Sequence, residues 1–124
     1  MAQPKIIVAE DDTVLRDLYL RKLDKGLYQI RTAVNGRETL DYIASDPPDL
    51  LLLDLNMPVI DGFGVLEQLP VEKRTFPIVI LTNFEDQANR ERGMKLGVKD
   101  YFVKKDMTIK ALVEMVERLL QPKA

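Results

Sequence analysis

Five short apolar runs recur along the chain, each followed by a stretch whose apolar positions repeat at helical spacing. The runs occupy residues 5–9, 28–33, 50–53, 78–81 and 100–103. Ile6-Ile7-Val8-Ala9, Leu50 to Leu53 and Ile78 to Leu81 are continuously apolar, the pattern of strands covered on both faces. Tyr28-Gln29-Ile30-Arg31-Thr32-Ala33 alternates polar and apolar, which predicts an edge strand. The first helix is expected from Asp12 or Thr13, either of which can cap it, with Leu15, Leu18, Tyr19 and Leu23 on one face and Gly26 past its end. A second runs over 36–45 and stops before Pro47-Pro48. A third covers 62–69 and ends at Pro70. The fourth is expected over 85–95, opened by Asn83 and closed by Gly97. The fifth starts at Thr108, with Ile109, Leu112, Val113, Val116, Leu119 and Leu120 along one face.

Strands alternating with helices at this pitch predict parallel strands joined by right-handed crossovers, a doubly wound α/β domain. Periodicity does not give the strand order. The polar residues after the runs do. Glu10-Asp11-Asp12 follows the first run, Asp54 the third, Thr82 the fourth and Lys104 the fifth. The first and third runs must be neighbours for Glu10 and Asp11 to meet Asp54. That selects the flavodoxin-like order 2-1-3-4-5, with the switch point between strands one and three, where open α/β sheets bind ligands.

The 124 residues fit one domain, expected over 1–124 with its core at about 5–120 and no effector domain in this chain. A net charge of −2 gives no reason to expect nucleic-acid binding. No signal peptide or membrane-length apolar stretch is visible, so a cytoplasmic location without membrane association is expected. The chain contains no cysteine, which excludes disulfides and thiolate metal sites. It contains no histidine either, which excludes a Ser-His-Asp triad and histidine-ligated zinc. Any phosphohistidine chemistry must come from a partner.

Carboxylates gathered in one crevice repel each other and recruit a cation. Magnesium takes oxygen ligands in near-octahedral geometry. A carboxylate can also act as a nucleophile and form an acyl phosphate. Each residue has a plainer reading as well. Acids at 10 and 11 suit a helix N-terminus, and Asp12 fits that reading best. Asp54 could close a turn with Asn56 and Pro58, although a charge ending a four-leucine run is costly unless it is paired or functional. Thr82 could be a turn residue, Lys104 a solvated lysine, and Tyr101 a strand aromatic with its hydroxyl in solvent. The joint placement at four strand ends favours the site.

Asp54-Leu-Asn-Met-Pro-Val-Ile-Asp-Gly62, the acidic pair Glu10-Asp11, Leu81-Thr82 and Tyr101-Phe-Val-Lys104 together resemble the motifs of response-regulator receiver domains, including the chemotaxis regulators. The resemblance runs from about Lys5 to Leu120. It implies that Asp54 is the phosphoacceptor, taking phosphorus from a histidine kinase or a histidine phosphotransfer protein. It implies magnesium, with manganese as an alternative, held by Asp11 and Asp54, by Glu10 through a water, and by the backbone carbonyl of Asn56. Lys104 would pair with Asp54 and then with the phosphoryl oxygens, and Thr82 would donate its hydroxyl to one of them. Tyr101 would be the switch aromatic, turning inward as Thr82 moves. The surface of helix four, strand five and helix five would then bind a downstream protein target or an effector domain missing from this chain. The molecule would catalyse its own phosphorylation and dephosphorylation rather than act as a conventional enzyme. It would be a monomer or a weak, phosphorylation-dependent dimer.

The chain departs from that pattern in places. Lys104-Lys105 stands where many relatives have Lys-Pro with a cis bond, and Lys105 could compete for the role of Lys104. Asn83 and Phe84 follow Thr82 where smaller residues are usual. Lys99-Asp100 replaces a double acid, and Met115 stands where an arginine is expected on helix five, which puts a dimer through that face in doubt. Other classes fit less well. An aspartate-nucleophile phosphatase needs a second acid two residues after the nucleophile, where this chain has Asn56. A nucleotide or flavin binder lacks its loop, since Gly62-Phe63-Gly64 is not a full dinucleotide fingerprint. A receiver that binds partners without phosphate would not require Asp11, Asp54, Thr82 and Lys104 together.

Overall fold

A computed structural model describes residues 3–121. Its five strands are β1 (Lys5–Ala9), β2 (Gln29–Ala33), β3 (Leu50–Leu53), β4 (Ile78–Thr82) and β5 (Asp100–Val103). They form one parallel sheet in the order β2-β1-β3-β4-β5, as the acid residues predicted. The helices are α1 (Thr13–Leu23), α2 (Gly36–Ser45), α3 (Gly62–Glu67), α4 (Gln87–Lys95) and α5 (Ile109–Leu119).

The period-2 alternation of the strands divides the core into two layers. Ile7, Ala9, Leu51, Leu53, Ile78, Ile80, Tyr101 and Val103 face one way, packing with Ile43, Phe63 and Leu66 of α2 and α3. Ile6, Val8, Leu50, Leu52, Val79 and Leu81 face the other way, against Tyr19 and Leu23 of α1 and Leu112, Met115 and Val116 of α5. Both faces of the central strands are covered, so polar residues survive only at their ends, Lys5 opening β1 and Thr82 closing β4. β2 keeps its alternation because it is the edge. Burying each of these leucines contributes about 2 kcal/mol. Met115 is 3% exposed, so that position belongs to the α5 core stripe and offers no arginine to the surface.

Caps set most of the helix limits. Asp12 accepts from the Leu15 amide at 3.1 Å and opens α1. Asn35 caps α2, its Oδ1 accepting from the Glu38 amide at 2.8 Å, and Glu38 Oε1 reaches back to accept from the Val34 amide at 3.2 Å. Thr108, the expected start of the fifth helix, is the cap of α5, its Oγ1 accepting from the Ala111 amide at 3.0 Å. Two limits differ from the sequence expectation. α3 ends at Glu67, two residues short of the expected residue 69. α4 begins at Gln87, because Asp86 and not Asn83 is its cap, accepting from the Asn89 amide at 3.2 Å. Residues 83–85 form a loop instead, and that loop shapes the site. Among the described residues no peptide bond is cis, Lys104–Lys105 included.

Candidate functional site: an acid pocket at the switch point

Strand register brings the acids together. β1 and β3 pair Ala9 with Leu53, so Glu10 and Asp54 leave adjacent strands side by side. The Asp54 amide donates to the Ala9 carbonyl at 3.0 Å, and the Glu10 amide to the Ala33 carbonyl at 3.0 Å. The register continues one step past the apolar ladder and then delivers two carboxylates to one edge. Carboxylate oxygens of Glu10, Asp11 and Asp54 lie within 4.8 Å of one another. Glu10 and Asp54 are buried, at 2% and 5% exposure, while Asp11 faces solvent.

Among the described residues, Lys104 supplies the one cation in contact with both carboxylates. Its Nζ lies 2.5 Å from Glu10 Oε1 and 3.2 Å from Asp54 Oδ2. β5 pairs Val103 with Thr82, so Lys104 leaves the sheet at the pocket. Lys105 points elsewhere and pairs with Glu85 at 2.6 Å in solvent, which removes it as a competitor for contact with Asp54. Asp54 Oδ1 also accepts from the Asn56 amide at 3.3 Å. Glu10 Oε2 accepts from the Asp12 amide at 3.2 Å, so both oxygens of Glu10 hold donors from the protein itself. Thr82 is fully buried, and its Oγ1 accepts from the Phe84 amide at 3.2 Å.

Burial pushes the Glu10 carboxyl up to about 7, opposed by the hydrogen bond from Lys104 and reinforced by the charge of Asp54. Burial works against the Lys104 ammonium too, but its hydrogen bond to Glu10 and the charges of Asp54 and Glu10 outweigh it and hold its pKa above the ordinary value.

The Glu10 shift sets a pH dependence. Its pKa is higher folded than unfolded, so the folded state binds the extra proton between about 4.5 and about 7. Glu10 therefore destabilises the metal-free protein increasingly as pH rises through that window, by up to roughly 3 kcal/mol at about 1.36 kcal/mol per unit. Urea unfolding in chelator at pH 5 and pH 8 should show Glu10→Gln gaining on the wild type as pH rises. A pH-independent difference between the two would contradict this.

One residue of the site, Arg16, and one link, from Tyr101 through Phe84 to Thr82, were not legible in the sequence. Arg16 Nη1 donates to the carbonyl of Glu10 at 3.1 Å and less closely to that of Asp11 at 3.4 Å, bracing the acidic turn. Its only sequence signal is a basic residue one turn into a helix. Tyr101 is 2% exposed and its hydroxyl donates to the Phe84 carbonyl at 2.7 Å, so the plain reading with that hydroxyl in solvent is set aside. The loop residue Phe84 was not expected to link Tyr101 to Thr82.

The chain is thus a doubly wound α/β domain with three carboxylates gathered at the switch point and a lysine shared between two of them. The chain belongs to the response regulator receiver domain family, which matches residues 6–117. It is the receiver domain of a two-component response regulator. It is 36% identical over 117 residues to the response regulator MprA of Mycolicibacterium vanbaalenii, covering 94% of this chain and 50% of that protein. It is 38% identical over 100 residues to the probable transcriptional regulator ycf27 of Cyanophora paradoxa, covering 81% of this chain and 41% of that one. The chain thus spans about half the length of the curated relatives it matches or less. Among solved structures, the receiver domain of Francisella response regulator 1452 superposes with a TM-score of 0.86 at 29% identity, over 94% of this chain and 96% of that one. The Vibrio cholerae chemotaxis protein CheY4 gives 0.84 at 26% identity, over 96% and 100%. No described helix is long and apolar enough to cross a membrane.

Proposed function

We propose that Asp54 accepts a phosphoryl group from a histidine kinase or a histidine phosphotransfer protein, in a magnesium-dependent reaction. The observation that carries this reading is the buried Asp54 carboxylate, with a cation 3.2 Å from one oxygen and two further carboxylates gathered beside it. A structural aspartate at a turn needs neither of those carboxylates. In the transfer, an Asp54 oxygen forms the new O–P bond as the donor's N–P bond breaks, and the donor imidazole keeps the electron pair and takes a proton. Phosphoryl transfer needs alignment and charge neutralisation more than covalent help. Lys104 supplies one positive charge and a donor for the phosphoryl oxygens.

The donor set fits magnesium: hard carboxylate oxygens, one of them exposed and able to keep water around the ion. Bound there, magnesium would neutralise charge on the phosphoryl oxygens. Asp11 and Asp54 would bind it directly, with the Asn56 carbonyl. Both oxygens of Glu10 already hold protein donors, which suits a role through water. The molecule works as a switch rather than as a conventional enzyme, and the surface of α4, β5 and α5 is the output. That surface would act on a protein target or on an effector domain beyond this chain, in the cytoplasm, with a monomer or a weak dimer as the unit.

Beryllofluoride with magnesium mimics the acyl phosphate and tests this by amide NMR. Shifts are expected at Asp54, Thr82 and Lys104 and onward into α4 and β5, and they should vanish in Asp54→Asn. A spectrum that beryllofluoride leaves unchanged would overturn the switch.

A further inference from the structure

Behind the acid pocket, a chain of contacts runs from an exposed helix face to Thr82. Arg90 of α4 donates from Nη1 to the Tyr101 carbonyl at 3.0 Å, and its guanidinium stands 4.8 Å from the centre of the Tyr101 ring. The Tyr101 hydroxyl donates to the Phe84 carbonyl at 2.7 Å. The Phe84 amide donates to Thr82 Oγ1 at 3.2 Å. The ring lies against α4 where Gly93 leaves room: a Cβ at Gly93 would stand 3.4 Å from Tyr101 Cδ2 and 3.0 Å from Ile80 Cδ1.

We propose that Arg90 is a positioning residue: it clasps Tyr101 in a seat under α4 and, through the Phe84 peptide, sets the orientation of the Thr82 hydroxyl at the acid pocket. This rests on the phosphoacceptor reading of Asp54 and specifies how the site is kept in order.

The physical case has three parts. The guanidinium grips two features of one residue, the carbonyl by a charge-assisted hydrogen bond and the ring face by cation–π attraction. Such a two-point grip restrains both backbone and ring, which a lysine point charge at this position would not do as well. The Phe84 peptide is held at both ends, with its amide on Thr82 and its carbonyl under the Tyr101 hydroxyl. Because Thr82 Oγ1 accepts from that amide, the rotation of its own O–H is restricted and its proton is directed away from Phe84. None of these contacts involves Glu10, Asp11, Asp54 or Lys104. The seat therefore forms without direct contact to the acids or the lysine, and Thr82 is its link to the pocket. Disturbing Arg90 from outside, 11 residues before the tyrosine, loosens a hydroxyl inside.

The test follows Tyr101 by NMR and the pocket by phosphorylation rate. In the wild type, nuclear Overhauser contacts between the Tyr101 ring and both Gly93 Hα and the Ile80 δ-methyl are expected before any phosphodonor is added. They should persist with magnesium and beryllofluoride. Arg90→Ala should weaken those contacts in the free protein and slow phosphorylation by acetyl phosphate several-fold, with thermal unfolding recorded alongside. Lys95→Ala removes one positive charge from the same helix and should change neither readout, which separates the clasp from a general charge effect. Gly93→Ala improves helix propensity yet crowds the seat, so it should weaken the Tyr101–Ile80 contact with the helix intact. Wild-type contacts that appear only after beryllofluoride, or an Arg90→Ala protein with unchanged contacts and rate, would overturn the clasp. If the wild type takes no phosphoryl group, the reading of Asp54 fails, and the Overhauser contacts still decide the clasp.

Discussion

Replacing Lys104 with methionine is expected to cut the rate of phosphorylation by acetyl phosphate by roughly 10²–10³-fold, the usual cost of losing one preorganised donor to a developing anionic centre. Among the described residues, Lys104 is the one cation within 4 Å of both buried carboxylates, at 2.5 Å from Glu10 and 3.2 Å from Asp54. The neighbouring Lys105 lies on Glu85 in solvent rather than in the pocket. The same change alters stability in a pH-dependent way. Removing one member of a buried ion pair costs about 3–5 kcal/mol when the other stays charged. Glu10 sidesteps part of that cost by taking up a proton, since its pKa already stands near 7 and rises further without the ammonium. Lys104→Met should therefore be close to wild type in stability at pH 5 and clearly weaker at pH 8 in chelator, with magnesium restoring part of the loss. A rate within threefold of the wild type would show that Lys104 is a structural counter-ion only.

The second large effect is expected at a residue that carries no charge itself. Gly62 opens α3, and its amide donates to the Leu55 carbonyl at 3.0 Å. A Cβ there would stand 2.5 Å from the Asp54 carbonyl oxygen and 2.7 Å from Leu55 Cα. Both obstacles are backbone, so a side-chain rotation cannot relieve the clash. Gly62→Ala must push the helix off β3 or shift the main chain of Asp54. Overpacking of this kind costs about 1–3 kcal/mol. Moving a reacting group by about 1 Å can cost on the order of 10²-fold in rate. Urea unfolding should show the first loss, and acetyl phosphate kinetics at saturating magnesium the second. Gly26→Asn is the contrast. That position has φ +76° with nothing within 4 Å of a Cβ, so asparagine should be accepted there and phosphorylation unchanged. Wild-type kinetics in Gly62→Ala would mean that the β3–α3 loop tolerates displacement without disturbing Asp54.

The sheet was legible because it obeys strong local rules. A run such as Leu50 to Leu53 has no polar position, so it must be covered on both faces, and parallel order follows. The position of β1 beside β3 came from chemistry, through the need for Glu10 and Asp54 to meet, and not from any propensity. The start of α4 was misplaced because Asn83 and Asp86 both have cap chemistry within one turn. Tertiary anchoring decides between them: the Phe84 peptide is held by Thr82 and Tyr101, which keeps 83–85 out of the helix. The seat of Tyr101 against Gly93 was hidden for a similar reason. Gly93 within a helix looks like a local defect, and its use is visible only when the ring stands against it. The split of Lys104 between Glu10 and Asp54 was also out of reach, since it depends on side-chain reach across two strands.

Intact mass of the protein after incubation with acetyl phosphate, with and without magnesium and beside Asp54→Asn, tests the phosphoacceptor reading most directly. The expected result is a gain of one phosphoryl group in the wild type with magnesium, absent without the metal and absent in Asp54→Asn. The same gain in Asp54→Asn, or no gain in the wild type with either acetyl phosphate or a phosphorylated histidine kinase, would contradict it.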